Sequence, residues 1–427
     1  MGTMAKAIFL FGIAFLFCIN NVTEASRDLL QSGPVELFDV TKFYRKPTEE
    51  EVEYDEDYIP GSYYDAFAAV WDAACRNSTG SVKILVPKGT FLLTPIIFSG
   101  PCKCAKPIVF EVAGTIVSPT NPSLFPNAQW IEFSDIDGLV LNGNGVFDGQ
   151  GGVVDNETHV SAWATNDCRK NKNCVPPSSN LRFGKVHNSI VTGITSLNSK
   201  WFHLHVFSCN NFTATDIRIT APGDSPNTDG IHFSQCNLVN VANSNIATGD
   251  DCISIGQGCI NTNIHNITCG PGHGISIGSL GKERDDKSVE GVTVTDCTFT
   301  NTTNGARIKT WIGQSPGEVK KIVYENLVMN NVKNPIVIDQ SYGSKTVRGP
   351  SNSLWKITDA HFRKIKGTTV SNVAVSLQCS SKNPCEGVEV ADVDLVYNGD
   401  PKNKTLASSC NNAKAKFAGK LSPGACL

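Results

Sequence analysis

The sequence predicts an all-β chain wound as a parallel β-helix, with a short helix capping its amino-terminal end. Three observations carry this. From Val82 onward, short alternating strands are separated by Gly, Asn, Pro and Asp, with no helical periodicity between them. Segments of like pattern recur at a regular interval: Gly230-Ile231-His232-Phe233, Cys252-Ile253-Ser254-Ile255 and Gly274-Ile275-Ser276-Ile277 each lie 22 residues apart. Charged residues make up only 18% of the 427 residues and glycines number 37, against roughly 25% charge in average globular domains. Many turns and buried strands account for such a composition.

The elements follow in order. Lys6 precedes an apolar run, Ala7 to Ile19, and the small residues Thr23 and Ala25 sit at the −3 and −1 positions of a cleavage site. This is a secretory signal peptide covering residues 1–25. The run is too short for a membrane span of about 20 residues, so no membrane association is expected after cleavage. Sixteen cysteines agree with an oxidising compartment and a secreted protein. Losing Cys18 leaves an odd number, so at least one cysteine stands outside an intramolecular bridge. Asn-x-Ser/Thr sequons follow at Asn77, Asn156, Asn211, Asn266, Asn301 and Asn403.

Residues 26–427 show no linker and read as one domain. Phe38 to Val40 is a first strand, and the acidic run Pro47 to Pro60 a solvated loop. Tyr63 to Cys75 places Phe67, Val70, Trp71 and Ala74 at helical spacing, which predicts the cap helix. Beyond it, Lys83–Val86, Ile108–Val112 and Gly138–Leu141 are strands. The repeat extends to Gly305-Ala306-Arg307-Ile308 and Pro335-Ile336-Val337-Ile338 at intervals of 31 and 30, and back to His205–Cys209, 27 residues before His232–Cys236. A second strand series lies between: Leu238–Val241, Ile264–Ile267, Val292–Val294 and Ile322–Tyr324. A β-sandwich also has many short strands, but the regular interval favours the solenoid.

In such a solenoid, residues at one phase stack about 4.7–4.9 Å apart. Asp229, Asp251 and His273 share a phase just before the strand of three consecutive coils, and Asp250 precedes Asp251. With Ile308 facing inward, Arg307 and Lys309 face outward beside them. Carboxylates on adjacent coils repel, which raises the pKa of one. A protonated acid beside an ionised base suits hydrolysis of a glycosidic bond. Histidine can tune that ionisation, and Arg with Lys suits a substrate carrying carboxylates. A formal charge of −3 gives no global attraction for nucleic acid, so an anionic substrate needs such a local cluster. Taken singly, these residues also read as turn formers, a calcium-ligand pair at Asp250-Asp251, an exposed histidine and a solvated Arg-x-Lys face. Their shared phase argues against all four. His203, His205, His232, His265 and His361 lack such company and are read as structural.

Asn227-Thr228-Asp229, Gly249-Asp250-Asp251, Gly272-His273-Gly274 and Arg307-Ile308-Lys309 resemble the four signature motifs of the polygalacturonases, glycoside hydrolase family 28. The resemblance runs from about Phe38 to the carboxyl terminus. It implies a right-handed parallel β-helix and inverting hydrolysis of α-1,4-galacturonan in demethylated pectin, outside the cell in the wall. It also implies Asp250 as general acid, Asp229 and Asp251 positioning and deprotonating water, and His273 supporting the acid's protonation. Arg307 and Lys309, with Asn227 and Tyr342, would bind galacturonate. No cofactor or metal is implied, and the chain would act as a monomer on polygalacturonate, with exo action favoured over endo. The family further suggests disulfides Cys252–Cys269, Cys379–Cys385, Cys410–Cys426 and Cys75–Cys102, the first bridging the catalytic turn to the next coil.

Two features depart from that pattern. Stacked carboxylates nearer 5 Å than the roughly 6.5–9.5 Å usual for inversion leave inversion resting on the family alone. Phe43 to Tyr64 replaces the Gly-Ala-x-x-Asp-Gly stretch that family members carry before the cap helix. The rival functions are a calcium-dependent pectate lyase, disfavoured by the Asp/Asp/His set, and a non-catalytic wall-binding solenoid.

Overall fold

Residues with the pattern Ile-x-Ile between glycine- and asparagine-rich turns form the strands of a right-handed parallel β-helix. The computed structural model describes residues 34–46, 59–125, 128–166, 168, 171, 174–313, 315–344, 352–400 and 405–426. The span read as a signal peptide, residues 1–25, and residues 47–58 of the acidic run lie outside them.

Among the described residues, one sheet has eleven strands in chain order, each parallel to the next. Its register is the predicted one: Leu204 pairs with Ile231, Ile231 with Ile253, Ile253 with Ile275, Ile275 with Ala306, and Ala306 with Ile336. These side chains are fully buried, as are Phe233, Ile255, Ile277, Ile308 and Ile338 two residues on. Alternation turns the residues between them outward, so His232, Ser254, Ser276 and Arg307 form one external row. Across the core, strands Asn237–Ala247, Ile260–Cys269, Val289–Thr295 and Gly317–Val332 carry the second predicted series in parallel register. Tyr324, wholly buried on that side, donates its hydroxyl to the carbonyls of Ile275 and Arg307 at 3.2 and 3.3 Å. The far wall thereby supports the strands that carry the site.

The amino-terminal end is closed as expected. Strand Glu36–Asp39 pairs with Ser81–Val86, and helix Tyr64–Trp71 continues as a π-helical turn over Asp72–Asn77. The α-helix is thus shorter than the span Tyr63 to Cys75. Phe67, Val70, Trp71 and Ala74 are buried, with Phe67 set between Phe98 and Phe110. Where the sequence departs from the family pattern, Tyr44 stacks on Tyr63, and Tyr63 meets Phe91 edge-on.

Cys75–Cys102, Cys252–Cys269, Cys379–Cys385 and Cys410–Cys426 are bonded, and Cys168–Cys174 adds a bridge the sequence did not suggest. Cys104, Cys209, Cys236, Cys259 and Cys297 are free and buried. One expectation is corrected. Cys252 opens the coil that Cys269 nearly completes, so their bond closes a single coil on itself and does not reach the next.

Ile277 is a stacked inward residue with no exposed area. Ile277→Ala should destabilise the fold by about 2–5 kcal/mol, because the coils above and below hold the cavity open. Denaturant unfolding monitored by circular dichroism measures this.

Candidate active site

The site is built from three turns entering consecutive strands. Thr228 joins the first two: its Oγ1 accepts the Gly249 N–H at 3.0 Å and the Thr248 hydroxyl at 2.8 Å. Gly249 is required by close approach, since a Cβ there would lie 2.0 Å from the Ser225 carbonyl oxygen. Gly274, at φ +88°, would drive a Cβ to 2.2 Å from the Asn304 carbonyl oxygen. Glycine spacing therefore sets how tightly the acidic turns stack.

On this frame the three carboxylates meet different surroundings. Asp229 is buried and its Oδ2 accepts the Ser254 hydroxyl at 2.8 Å. Burial first, then the charges of Asp250 and Asp251, raise its pKa well above the ordinary carboxyl value, although Lys309 and Ser254 pull the other way. The carboxyl with the raised proton affinity expected of this cluster is thus Asp229. Asp251, with 1% of its side chain exposed, accepts Arg307 Nη2 at 2.6 Å and Ser276 Oγ at 2.8 Å on Oδ1, and Lys309 Nζ at 2.7 Å on Oδ2. Two cations and a hydroxyl thus satisfy both of its oxygens. Asp250 is more open, with 13% of its side chain exposed. Its Oδ1 accepts the Asp251 N–H at 3.0 Å and lies 2.7 Å from His273 Nδ1. Polar atoms of Asp250, Asp251 and His273 all lie within 4.8 Å of one another.

Arg307 and Lys309 flank the inward Ile308 as expected, and Lys309 Nζ also sits 5.2 Å above the Tyr342 ring. Asn227 is in the left-handed conformation at φ 54°, and its buried Oδ1 has no partner among the described residues. Asp229, Asp250, Asp251, His273, Arg307, Lys309 and Tyr342 therefore converge on one face, and Asn227 stands two residues before Asp229.

Several neighbours were not identified from sequence. Ser254 and Ser276 each bond the aspartate 25 residues before them. The signal was visible, because each is the outward middle residue of an Ile-Ser-Ile triplet. His232 and His205, read from the sequence as structural, lie in the outward row that carries the site. His232 Nδ1 is 2.7 Å from the Ser254 hydroxyl, and His205 occupies the next outward position. Burial, with Lys309 second, lowers His232 to about 4; burial, then His232 and Arg182, lowers His205 to about 3. Both are neutral polar groups at the groove floor. The Phe202 ring stacks on His232 at 4.8 Å, and Arg182 and Glu132 continue the row. His203 is an internal residue bonded to Ser196, and His361 sits among Asp359, Arg363 and Glu389 on the other sheet. Beyond Lys309, burial raises the Asp339 carboxyl, with Arg307 and Lys309 opposing.

The sequence profile of glycosyl hydrolases family 28 matches residues 75–419. An exopolygalacturonase of Platanus acerifolia is 43% identical over 85% of this chain and 93% of its own length. An exopolygalacturonase of Oenothera organensis is 45% identical over 84% and 97%. Among solved structures, a polygalacturonase from Erwinia carotovora superposes with a TM-score of 0.66 at 26% identity, covering 84% of this chain and 95% of that one.

The raised pKa of Asp229 has a consequence for stability. The folded chain binds this proton more tightly than the unfolded chain. The stabilisation is therefore complete below the unfolded carboxyl value of about 3.9 and is lost as pH rises through the raised folded value. Asp229→Asn should unfold at a higher temperature than the wild type near neutral pH, with the two midpoints converging in acid. Thermal melts across that range test the sign.

Proposed function

The chain belongs to glycosyl hydrolase family 28, and from that membership we propose that it hydrolyses α-1,4-galacturonosyl bonds of demethylated pectin as a secreted polygalacturonase. It is a glycoside hydrolase of the polygalacturonase kind. The observation that carries the finer reading is the unequal environment of its three clustered aspartates.

Asp250, the most open of them, is the general acid. His273 Nδ1–H and the Asp251 amide occupy Oδ1, and the proton for the leaving glycosidic oxygen is assigned to Oδ2. Asp229 is the stronger base of the other two, because burial and like charge raise its proton affinity. It takes the proton of the attacking water, while Asp251, paired with Arg307 and Lys309, orients that water. Arg307 and Lys309 bind the galacturonate carboxylate, sharing their charge between it and Asp251. Tyr342 and the orphan Asn227 Oδ1 complete the polar wall. No step requires a metal or cofactor.

Exo action is favoured by the exopolygalacturonase relatives, and inversion follows from family membership. Secretion is supported by the signal-peptide pattern and five disulfides. No described helix is long and apolar enough to cross a membrane.

Polygalacturonate digestion, followed for reducing ends and for ultraviolet absorbance of unsaturated uronide with and without chelator, tests the reading. Reducing ends without absorbance, unaffected by chelator, are expected. Chelator-sensitive absorbance would make the enzyme a lyase and void these roles. Product sizing separates monomer release from internal cleavage, and proton NMR of the first anomer formed reads stereochemistry. Asp250→Asn should lower kcat by ~10²–10⁴-fold with an unchanged circular dichroism spectrum. Wild-type turnover in that variant would refute the acid assignment.

A further inference from the structure

We propose that Asn301 carries an N-linked glycan whose first sugars seat in a cleft beside the His273 turn, an inference that rests on the secretion reading above. The cleft, about 450 Å³, is lined by Asn301, Thr303, Asn331, Lys333, Val370 and Asn398. It belongs to the coils immediately beyond the site. Thr302 bridges to Gly272, the Thr303 N–H donates to the Gly272 carbonyl at 2.8 Å, and Asn304 Nδ2 donates to the His273 carbonyl at 3.2 Å.

Two observations single out Asn301 among the sequons. The first is its amide. Asn211 and Asn266 lie on strands, and their Nδ2 atoms donate along asparagine ladders to Asn188 and Asn243 at 2.9 and 2.8 Å. The Asn301 side chain only accepts, from Asn331 Nδ2 at 3.5 Å, and its own Nδ2 donates to no described group. The second is the cleft itself. Hydroxyl, amide and ammonium groups match the polar edge of an N-acetylhexosamine, and Val370, 41% exposed, offers an apolar patch to its methyl or ring face. Asn77 and Asn156 are exposed on turns, outside this cleft, and Asn403 lies outside the described residues.

The modification is a group transfer in the secretory pathway. Asn301 Nδ2 loses a proton and bonds the anomeric carbon of a lipid-linked oligosaccharide pyrophosphate. The carbon–oxygen bond to the pyrophosphate breaks and the lipid pyrophosphate leaves. A glycan then seated in the cleft is shielded from trimming enzymes and covers Val370, bracing the flank of the Gly272–His273 turn.

The test is expression of the full chain, with its own leader, in a eukaryotic secretory host. Glycopeptide mapping then follows treatment of native and denatured enzyme with a high-mannose-specific endoglycosidase. The expected result is an occupied Asn301 whose sugars stay high-mannose and are released many-fold more slowly from native than from denatured protein. Occupied Asn77 and Asn156 should carry processed glycans. Asn301→Gln and Thr303→Ala should each remove the same mass. A bare Asn301 beside an occupied Asn77 overturns the proposal alone, and an Asn301 glycan processed like that at Asn77 overturns the seating. If every sequon is bare, the proposal falls together with the secretion reading, while the polygalacturonate digestion independently reports the hydrolase.

Discussion

In-register stacking of parallel coils is the constraint on which everything else in this molecule depends. Ile231, Ile253 and Ile275 sit directly above one another, and the residue after each points into the groove. Because strand periodicity is two, a slip of one residue would bury Ser254 and Ser276 and expose the isoleucines. The apolar ladder holds the register, and the register delivers polar residues to fixed heights along the axis. Glycine at positions 249 and 274 lets the intervening turns approach as closely as the strands do.

That geometry concentrates negative charge, and the fold disperses the cost unequally. Asp251 is neutralised by Arg307 and Lys309 arriving from the coil beyond His273. Asp250 faces His273 and is the more open. Asp229 is buried with a hydroxyl partner and stays protonated more readily than an ordinary carboxyl. Three residues of one type thus acquire three characters from position alone. In the proposed reaction these become an acid, a base and a fixed charge that orients water. The same two cations that hold Asp251 would also receive the substrate carboxylate, which couples substrate binding to the charge state of the cluster.

The serines show how a repeat makes a site economical in sequence. One device is used twice, with an outward hydroxyl on the following coil bonding the aspartate of the preceding one. Each serine passes the contact on, Ser254 to His232 and Ser276 to Arg307. The aspartates are therefore held by side chains from neighbouring coils and by the backbone of their own turns. The free, buried Cys209, Cys236, Cys259 and Cys297 occupy interior positions of these coils, where the core and not bridging accounts for them.

The sequence by itself determined the periodic part: the solenoid, the phase shared by Asp229, Asp251 and His273, the outward placement of Arg307 and Lys309, and the cap residues Phe67, Val70, Trp71 and Ala74. These depend on local alternation and a fixed interval, which a linear string records completely. Only the tertiary structure decided which partner each charged group takes. Arg307 and Lys309 close on Asp251, 56 and 58 residues earlier, and burial beside two like charges raises the pKa of Asp229. His205 and His232 looked isolated along the chain, yet coil stacking places them on the groove row beside Ser254. Cys252 was expected to reach the next coil, but the path of the backbone brings Cys269 back to it within one. Partner choice and pKa depend on distances across coils and on exclusion of water, and neither quantity is written in the order of residues.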